Sequence, residues 1–325
     1  MTHYYCTHFD SNYLGHAKNL LHSLNKYDPD FKLFMFCFDK LSLDAIVEIK
    51  NKNVIPIFHE DLESFFPNLK IAKKNRNFVE YFFTCSPATC NYVIANFSEV
   101  DLITYLDADL FFFDSPAKIF QELEGHSIGI ISHRFNFFTK RNKIYGEFNV
   151  GWVSFRRDIN GLDCLNDWMN DCIDWCYQKI EKTRFADQKY LDFWPQNYKR
   201  VKVIGNIGAN VAIWNIKNYK LSFKDGKILV NGSPLIFYHF ANLKQIDRNL
   251  FSTDLSRVFV SLKGILLNKI YLPYINLLVK NKLSNVKIAA KKDNHVRGIS
   301  STFRELTRKI RSILFVDTIK ISAVK

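Results

Sequence analysis

The feature that most constrains this chain is an apolar run interrupted by two carboxylates. Residues 102–113 read LITYLDADLFFF, so Asp107 and Asp109 stand one residue apart with apolar residues on both sides. In a β-strand, side chains two residues apart point to the same face, so the two carboxylates can converge at a strand's end. Two buried carboxylates need a partner, and Mg²⁺ or Mn²⁺ is a suitable one. A polar turn at a strand exit is the alternative interpretation.

Such a cation also indicates what the substrate carries. Mg²⁺ and Mn²⁺ are usually shared between one or two protein carboxylates and the phosphates of a substrate. A diphosphate is therefore the natural second half of the predicted site.

Length and composition predict a globular protein. The 325 residues are 47% hydrophobic, which is enough for one large core or two modest ones. No run of about 18 uncharged apolar residues occurs, and the first residues do not combine a basic with an apolar region. We therefore expect a cytoplasmic protein without a signal peptide.

The seven cysteines form no C-x-x-C pair, and their odd number argues against a secreted disulfide framework. Cys172 and Cys176 are four residues apart in a predicted helix, with Cys164 two turns earlier. A zinc site is the alternative, but the spacing offers no fourth ligand, so we predict buried free thiols.

The net charge of +13 is concentrated in the last quarter of the chain. Residues 244–325 contain 17 Lys and Arg against 5 Asp and Glu, whereas residues 1–243 contain 28 against 27. This asymmetry predicts a domain of residues 1–243, with halves at 1–115 and 116–243, followed by a mainly helical, basic C-terminal region.

Two segments of that region, Leu262 to Val279 and Phe303 to Phe315, combine an apolar stripe with basic residues. The pattern is typical of helices that lie on anionic lipid. A structural cap on the domain is the main alternative. Nucleic acid is disfavoured, because aromatic residues do not alternate with basic ones as stacking platforms do.

Strand-like and helix-like signals alternate through residues 1–243, which predicts an α/β fold. The predicted strands are Thr2–Thr7, Lys32–Phe38, Val54–Phe58, Leu102–Phe113, Ser127–Ser132, Phe148–Phe155 and Val201–Ile204. The predicted helices are Tyr13–Leu24, Asp44–Lys50, Ser86–Phe97 with Pro87 in its first turn, and Cys164–Lys179.

Two positions in this pattern bear on a site. Ligands of open α/β sheets bind beyond the carboxyl ends of the strands, which is where the pattern places Asp107 and Asp109. Gly151 lies inside a predicted strand, where a close approach by a ligand or another backbone favours glycine. A β-bulge is the alternative at Gly151.

Five short motifs occur along the chain in a specific order. They are Asp10-x-Asn12-Tyr13, the segment Tyr105 to Asp109, Phe148-Asn149-x-Gly151, Asp187-Gln188, and His239 followed five residues later by Lys244. In this order the chain resembles the GT-A glycosyltransferases, most closely the galactosyltransferase and glycogenin-like group. The resemblance implies a Rossmann-like α/β domain that uses a nucleotide-diphosphate sugar and a divalent cation.

The resemblance also implies roles for individual residues. Asp107, Asp109 and His239 match the metal ligands, and an imidazole favours Mn²⁺ over Mg²⁺. Thr7, Asp10, Asn12 and Tyr13 match positions at the base and ribose, and Asp107 also reaches the ribose, while Lys244 matches a lysine at the diphosphate. Asp10 can accept a hydrogen bond from uracil, which favours UDP. Capping of a helix by Asp10 is the alternative.

The donor sugar and the acceptor involve further residues. Asn149 and Gly151 match positions near the donor sugar, and Asp187 with Gln188 match a pair that faces the sugar ring. His133 and Arg134 follow a predicted strand and are candidates for binding the acceptor, with ordinary loop contacts as the alternative. The chain departs from the group at Pro87 and Ala88, where an arginine is usual, and at Lys189, where an acid is usual.

These expectations describe a metal-dependent enzyme that moves a sugar from a UDP-sugar to a glycan or glycolipid, with retention favoured. A bacterial capsule or lipopolysaccharide pathway and a place at the inner face of the cell membrane are the expected setting. The alternatives are a sugar-1-phosphate nucleotidyltransferase, whose usual Gly-rich N-terminal loop is missing, and an inactive membrane-associated binder of nucleotide sugars.

Overall fold

The structure is a computed structural model that describes residues 2–281 and 316–321. Its strands are β1 (His3–Phe9), β2 (Phe31–Cys37), β3 (Val54–Phe58), β4 (Leu102–Leu106), β5 (Leu110–Phe112), β6 (Ile128–Ser132), β7 (Phe148–Arg156), β8 (Val201–Val203), β9 (Val211–Ala212), β10 (Leu221–Lys224), β11 (Lys227–Val230), β12 (Ser233–Pro234), β13 (Phe237–His239), β14 (Lys244–Asp247), β15 (Leu250–Ser252) and β16 (Thr318–Lys320).

The helices alternate with the first strands, as the sequence predicts. They are α1 (Leu14–Tyr27), α2 (Lys40–Val47), α3 (His59–Phe65), α4 (Asn68–Lys74), α5 (Phe78–Asn96), α6 (Ala117–Leu123), α7 (Ile159–Asp174), α8 (Trp194–Asn197) and α9 (Leu272–Asn281). A π-helical segment, Leu266–Tyr271, leads directly into α9.

A mixed seven-stranded sheet forms the centre of the fold, in the order β3-β2-β1-β4-β7-β6-β8. The first four strands are parallel, β7 is antiparallel to both of its neighbours, and β8 is parallel to β6. The carboxyl ends of β1 and β4 therefore lie at one edge, which is where ligands bind in open α/β sheets. The predicted α/β fold is confirmed.

Both faces of this sheet are covered, because its strands are apolar on both sides. Tyr5 and Cys6 are consecutive in β1 and fully buried, yet they belong to different apolar clusters. Helices α5 and α7 pack against each other on the side of Cys6, and α1 lies on the side of Tyr5. All seven cysteines are buried free thiols, as predicted.

Several predicted element boundaries are wrong. Helix α2 covers Lys40–Val47, not Asp44–Lys50, because Asp39 caps it with a capping box. Helix α5 does not begin at Ser86: it begins at Phe78, after Asn77, whose side chain accepts a hydrogen bond from the backbone N–H of Glu80. That capping box starts the helix two turns before Pro87, which lies inside the helix. Helix α7 ends at Asp174, so Cys176 lies beyond it. The predicted strand over residues 102–113 is two strands, β4 and β5, joined by a turn.

The predicted helix Leu262–Val279 is packed against the rest of the fold. Ile270, Tyr271 and Tyr274 are buried in a third apolar cluster together with Tyr238 and Phe240. The apolar stripe that the sequence analysis assigned to lipid is thus covered by protein, as the capping alternative requires. The second segment, Phe303 to Phe315, lies outside the described residues, and the boundary at residue 243 stays a prediction.

A smaller sheet in the order β5-β13-β9 lies next to the carboxyl end of β4. Strand β13 pairs antiparallel with β5 and parallel with β9, so a late segment of the chain is joined to the segment that directly follows Asp109. In residues 2–281 and 316–321, no helix combines the length and the apolar character needed to cross a membrane.

Candidate active site

Asp107 and Asp109 lie in the turn between β4 and β5. The backbone N–H of Leu110 donates to the carbonyl of Asp107, which closes the turn, and the N–H of Asp107 donates to the carbonyl of Gly151. The two carboxylates do converge, but the strand geometry predicted for them is wrong: a tight turn, not the repeat of a strand, brings them together.

Strand pairing brings His239 to this turn. In the register of β13 with β5, His239 is opposite Leu110, and the next residue, Phe240, donates its backbone N–H to the carbonyl of Asp109. Residues 130 positions apart in the chain are therefore fixed side by side by backbone hydrogen bonds. This pairing explains why the third predicted ligand lies at the site.

The three side chains form one compact group of possible metal ligands. His239 Nε2 lies 3.0 Å from Asp109 Oδ1 and 3.5 Å from Asp107 Oδ2, and one ligand atom from each residue lies within 4.8 Å of the others. Neighbouring ligands of an octahedral ion with bonds of about 2.1 Å are about 3 Å apart. Within the described part of the chain, this is the one such group.

Asn149 determines which nitrogen of His239 faces the carboxylates. The Asn149 side-chain oxygen accepts a hydrogen bond from the backbone N–H of Gly151, and His239 Nδ1 lies 3.2 Å from the same oxygen. Because that oxygen can only accept, Nδ1 carries a proton and donates it. Nε2 then points to Asp109, with its lone pair available to a metal ion when the imidazole is neutral.

Gly151 gives this arrangement its space. A Cβ atom at residue 151 would lie 2.6 Å from Asn149 Oδ1 and 2.9 Å from the ring of His239. Strand β7 also bulges here, since Ile130 pairs with Val153 while Ile131 pairs with Asn149. Both predicted reasons for a glycine here, a bulge and a close approach, therefore apply. The groups that approach Gly151 are the side chains of Asn149 and His239.

The electrostatics of the group are those of a site for a cation. Burial raises the pKa of Asp107 to about 6, and the negative charge of Asp109 contributes to the shift. Burial alone would raise the pKa of Asp109, but His239 outweighs burial and lowers it. Burial alone would lower the pKa of His239, but Asp109 and Asp107 raise it. Negative charge thus exceeds positive charge in a partly buried place, which favours binding a cation.

Asp187 is buried close to this group, in the turn that precedes a 3₁₀-helix, Lys189–Phe193. The Ser86 hydroxyl donates a hydrogen bond of 2.7 Å to Asp187 Oδ2. Burial raises the pKa of Asp187 to about 7, the Ser86 hydrogen bond opposes that shift, and the charge of Asp107 adds to it. Gln188 is held by its side-chain nitrogen, which donates to the carbonyl of Tyr145.

Three of the predicted nucleotide residues, Asp10, Asn12 and Tyr13, lie at the carboxyl end of β1, whereas Thr7 and Lys244 do not. The carboxylate of Asp10 accepts hydrogen bonds from the backbone N–H groups of Asn12 and Tyr13 and from the Asn12 side chain, just before α1. The pKa of Tyr13 is raised by desolvation and by the charges of Asp109 and Asp107. Thr7 lies inside β1 and is fully buried, not at the strand's end. Lys244 is exposed at the start of β14.

The acceptor candidates are held by internal contacts. The guanidinium of Arg134 donates to the carbonyls of Asn206 and Ala209, which corresponds to the loop-contact alternative. His133 is buried, and burial lowers its pKa to about 3. The ring of Trp214 lies edge-on to His133 and to His239, at centroid distances of 5.0 and 5.1 Å.

Sequence reasoning missed three parts of the site. Ser86 holds Asp187, and the departure noted next to it, at Pro87 and Ala88, was the available signal. Trp214 packs against His239, and the sequence analysis gave it no role in the site. Tyr105, within the motif that carried the prediction, donates its hydroxyl to Asp107 Oδ1 at 3.1 Å.

The side-chain ammonium of Lys189 donates to the carbonyls of Ile144 and Glu181. This lysine, where the family usually has an acid, therefore makes structural contacts.

Comparison with known proteins gives two sequence relatives and a set of structural ones. The uncharacterized protein YfnD of Bacillus subtilis is 33% identical over 260 residues, which cover 79% of this chain and 82% of YfnD. The uncharacterized protein YfnF of the same organism is 32% identical over 259 residues, which cover 77% of this chain and 84% of YfnF. No family model matches the chain.

A solved structure similar to this one is that of galactosyltransferase LgtC in complex with donor and acceptor sugar analogs. It is 14% identical, the match covers 88% of this chain and 98% of the LgtC chain, and the TM-score is 0.49.

Proposed function

We propose that this chain, which belongs to the same family as YfnD and YfnF of Bacillus subtilis, is a metal-dependent glycosyltransferase. It moves a sugar from a UDP-sugar to a hydroxyl group of a glycan or a lipid-linked glycan. The observation that carries this proposal is the meeting of Asp107, Asp109 and His239, with atoms from all three within 4.8 Å.

The donor set suits a divalent cation that also binds phosphates. Asp107, Asp109 and His239 would hold the ion, and the imidazole nitrogen favours Mn²⁺ over Mg²⁺. The hydrogen bond from His239 Nδ1 to Asn149 is the usual second support of a metal-binding histidine. When bound, such an ion neutralises the negative charge that develops on a departing diphosphate.

Asp187 and Gln188 are the residues that we assign to the donor sugar. Ser86 and the surrounding burial fix Asp187, whose carboxyl oxygens can accept a hydrogen bond from a sugar hydroxyl. A carboxylate at that place also stabilises positive charge at the anomeric carbon. The resemblance favours retention of configuration. Asn149 and Gly151 then act on the sugar indirectly, by positioning His239.

The nucleotide is assigned to the carboxyl end of β1. Asp10, Asn12 and Tyr13 form one hydrogen-bonded turn there. Besides desolvation, the charges of Asp109 and Asp107 raise the pKa of Tyr13, so its hydroxyl lies near the carboxylate pair. Asp10 still has acceptor capacity for a uracil N–H, since each carboxylate oxygen accepts more than one hydrogen bond. Lys244, exposed at the start of β14, is assigned to the diphosphate as a positive charge.

We assign the acceptor to the side of Trp214 and His133, where an aromatic ring adjoins His239. A lipid-linked acceptor places the enzyme at the inner face of the cell membrane, and synthesis of a surface polysaccharide is the setting that suits it. The basic residues 244–325 support a place next to anionic lipid.

The test is a screen of nucleotide sugars for release of free nucleotide, with and without Mn²⁺. We expect UDP release from a UDP-sugar that depends on Mn²⁺ and falls at least about a hundredfold in Asp109→Asn. Asp44→Asn is the matched control, because Asp44 is an exposed aspartate on α2 that pairs with Lys40. Full metal-dependent turnover in Asp109→Asn contradicts the proposal.

The same screen separates the alternative functions. Pyrophosphate release from a nucleoside triphosphate and a sugar-1-phosphate would identify a nucleotidyltransferase. Binding of UDP-sugars with no turnover in either metal condition would identify an inactive binder.

A further inference from the structure

The segment between β6 and β7 exposes two adjacent phenylalanines. We name residues 135–145 the aromatic loop. Phe137 is 87% exposed and Phe138 48%, so Phe137 is the most exposed large apolar residue in the described chain. Single exposed apolar residues are ordinary, but two adjacent aromatic rings at the tip of a loop mark an interaction surface.

The tip of the aromatic loop is held rigidly from below. The side-chain oxygen of the buried Asn136 accepts hydrogen bonds from the backbone N–H groups of Phe138 and Thr139. The Asn136 amide nitrogen and the Thr139 hydroxyl both donate to the carbonyl of Trp214, at 3.0 and 2.6 Å. These four hydrogen bonds fix the backbone below the two rings, so their exposure is a built feature of the fold.

Positive charge surrounds these rings. Lys140, Arg141 and Lys143 follow them in the exposed 3₁₀-helix Lys140–Tyr145, and residues 132–146 contain no Asp or Glu. Lys217 places its Nζ 3.9 Å from the centre of the Phe138 ring. Lys143 pairs with Glu147, which leaves Lys140, Arg141 and Lys217 as the cations beside the tip.

We propose that the aromatic loop rests on an anionic bilayer surface, with Phe137 and Phe138 inserted among the lipids and the basic side chains at the phosphates. Exposed Phe next to Lys and Arg is the composition of interfacial membrane-binding segments. A glycan-binding surface would place free hydrogen-bonding groups beside the aromatic ring. In this loop Asn136 and Thr139 are buried and already bonded to Trp214, so a lipid surface suits the loop better than a glycan.

This surface also explains how a lipid-linked acceptor reaches the site, and in that respect the inference rests on the proposed function. The carbonyl of Trp214 holds the loop, while the ring of Trp214 lies 5.1 Å from that of His239. One residue therefore separates the tip from the candidate metal ligands. The apolar stripe of Leu262–Val279 is buried against protein, whereas the aromatic loop carries the most exposed large apolar residue in the described chain, Phe137.

The test is flotation of the full-length protein with phosphatidylcholine vesicles, with and without phosphatidylglycerol. We expect binding only to the anionic vesicles, reduced at least about tenfold in the double variant Phe137→Ser/Phe138→Ser. The double variant Lys140→Ala/Arg141→Ala removes two charges and weakens binding about thirtyfold.

Helix α4 supplies matched controls, because Ile71 is 62% exposed there between the exposed Lys70 and Lys74. Ile71→Ser and Lys70→Ala/Lys74→Ala should bind vesicles as the wild type does. Wild-type binding by both loop variants, or no binding of the wild type to anionic vesicles, overturns the inference. Release of nucleotide from a donor in solution should be unchanged in the loop variants, so failure of the proposed function is seen separately.

Discussion

Gly151→Ala is the substitution that probes the candidate metal site most selectively, because it adds one carbon atom behind the ligands without removing any of them. The new Cβ would lie 2.6 Å from Asn149 Oδ1 and 2.9 Å from two atoms of the His239 ring. Ordinary contacts begin near 3.4 Å. The ring must therefore move by about 0.5 Å and the amide by about 0.8 Å, since repulsion rises steeply below contact distance.

A shift of that size exceeds the tolerance of a metal site, whose bond lengths vary by about 0.2 Å. We expect Gly151→Ala to bind Mn²⁺ about 10–100 times more weakly than the wild type, as when the support of a metal-binding histidine is lost. Overpacking should also lower the free energy of unfolding by about 1–3 kcal/mol. Electron paramagnetic resonance of free Mn²⁺ measures the affinity, and urea denaturation measures the stability.

Gly129→Ala is the matched control. It lies on β6 in the same sheet, and its Cβ would clash with the side chain of Leu123, away from His239. It should lower stability by a similar amount and leave the affinity for Mn²⁺ unchanged. Wild-type Mn²⁺ affinity in Gly151→Ala, or an equal loss of affinity in Gly129→Ala, would refute the reasoning.

Three further predictions concern single side chains. Ser86→Ala removes a hydrogen bond that favours the ionised form of Asp187, so the pKa of Asp187 should rise further. The acidic limb of the pH profile of donor turnover should then move to higher pH by about one unit. Burial lowers the pKa of His8 to about 3, so below about pH 6.5 the unfolded chain binds a proton that the folded chain does not. The free energy of unfolding therefore falls as the pH drops toward 3. Urea denaturation should show that His8→Gln loses about 2 kcal/mol less of this free energy between pH 7 and pH 5 than the wild type does. Tyr274 stacks on Phe240 at 3.6 Å and is fully buried, so Tyr274→Ala should cost about 3–5 kcal/mol of unfolding free energy, and Tyr274→Phe much less, by the same assay.

The sequence predicted the α/β alternation because hydrophobic periodicity is local information. It also predicted which residues meet at the candidate metal group, although for Asp107 and Asp109 the geometric reason was wrong. The turn that joins β4 to β5 was only the alternative interpretation, because the apolar residues on both sides of the pair favoured one continuous strand. The pairing of β13 with β5, which delivers His239, was available only through the resemblance.

Most of what the sequence did not predict depends on contacts between distant segments, but the start of α5 depends on a local one. The capping box at Asn77 is a local signal that outweighs the preference of Pro87 for a first turn. The bond from Ser86 to Asp187 spans 101 residues, and the bond between Tyr274 and His16 Nδ1 spans 258. Neither follows a repeat or a motif. The latter bond, together with the stacking on Phe240, shows why an apolar stripe that suits lipid can equally serve as core.

The central claim is that one ion binds between the two aspartates and His239, and anomalous diffraction from crystals soaked with Mn²⁺ and UDP tests it most directly. We predict an anomalous peak at roughly 2.0–2.3 Å from His239 Nε2 and from a carboxylate oxygen of Asp109, with the diphosphate as a further ligand. A peak elsewhere, or UDP bound in the presence of Mn²⁺ with no ion between these side chains, contradicts the claim.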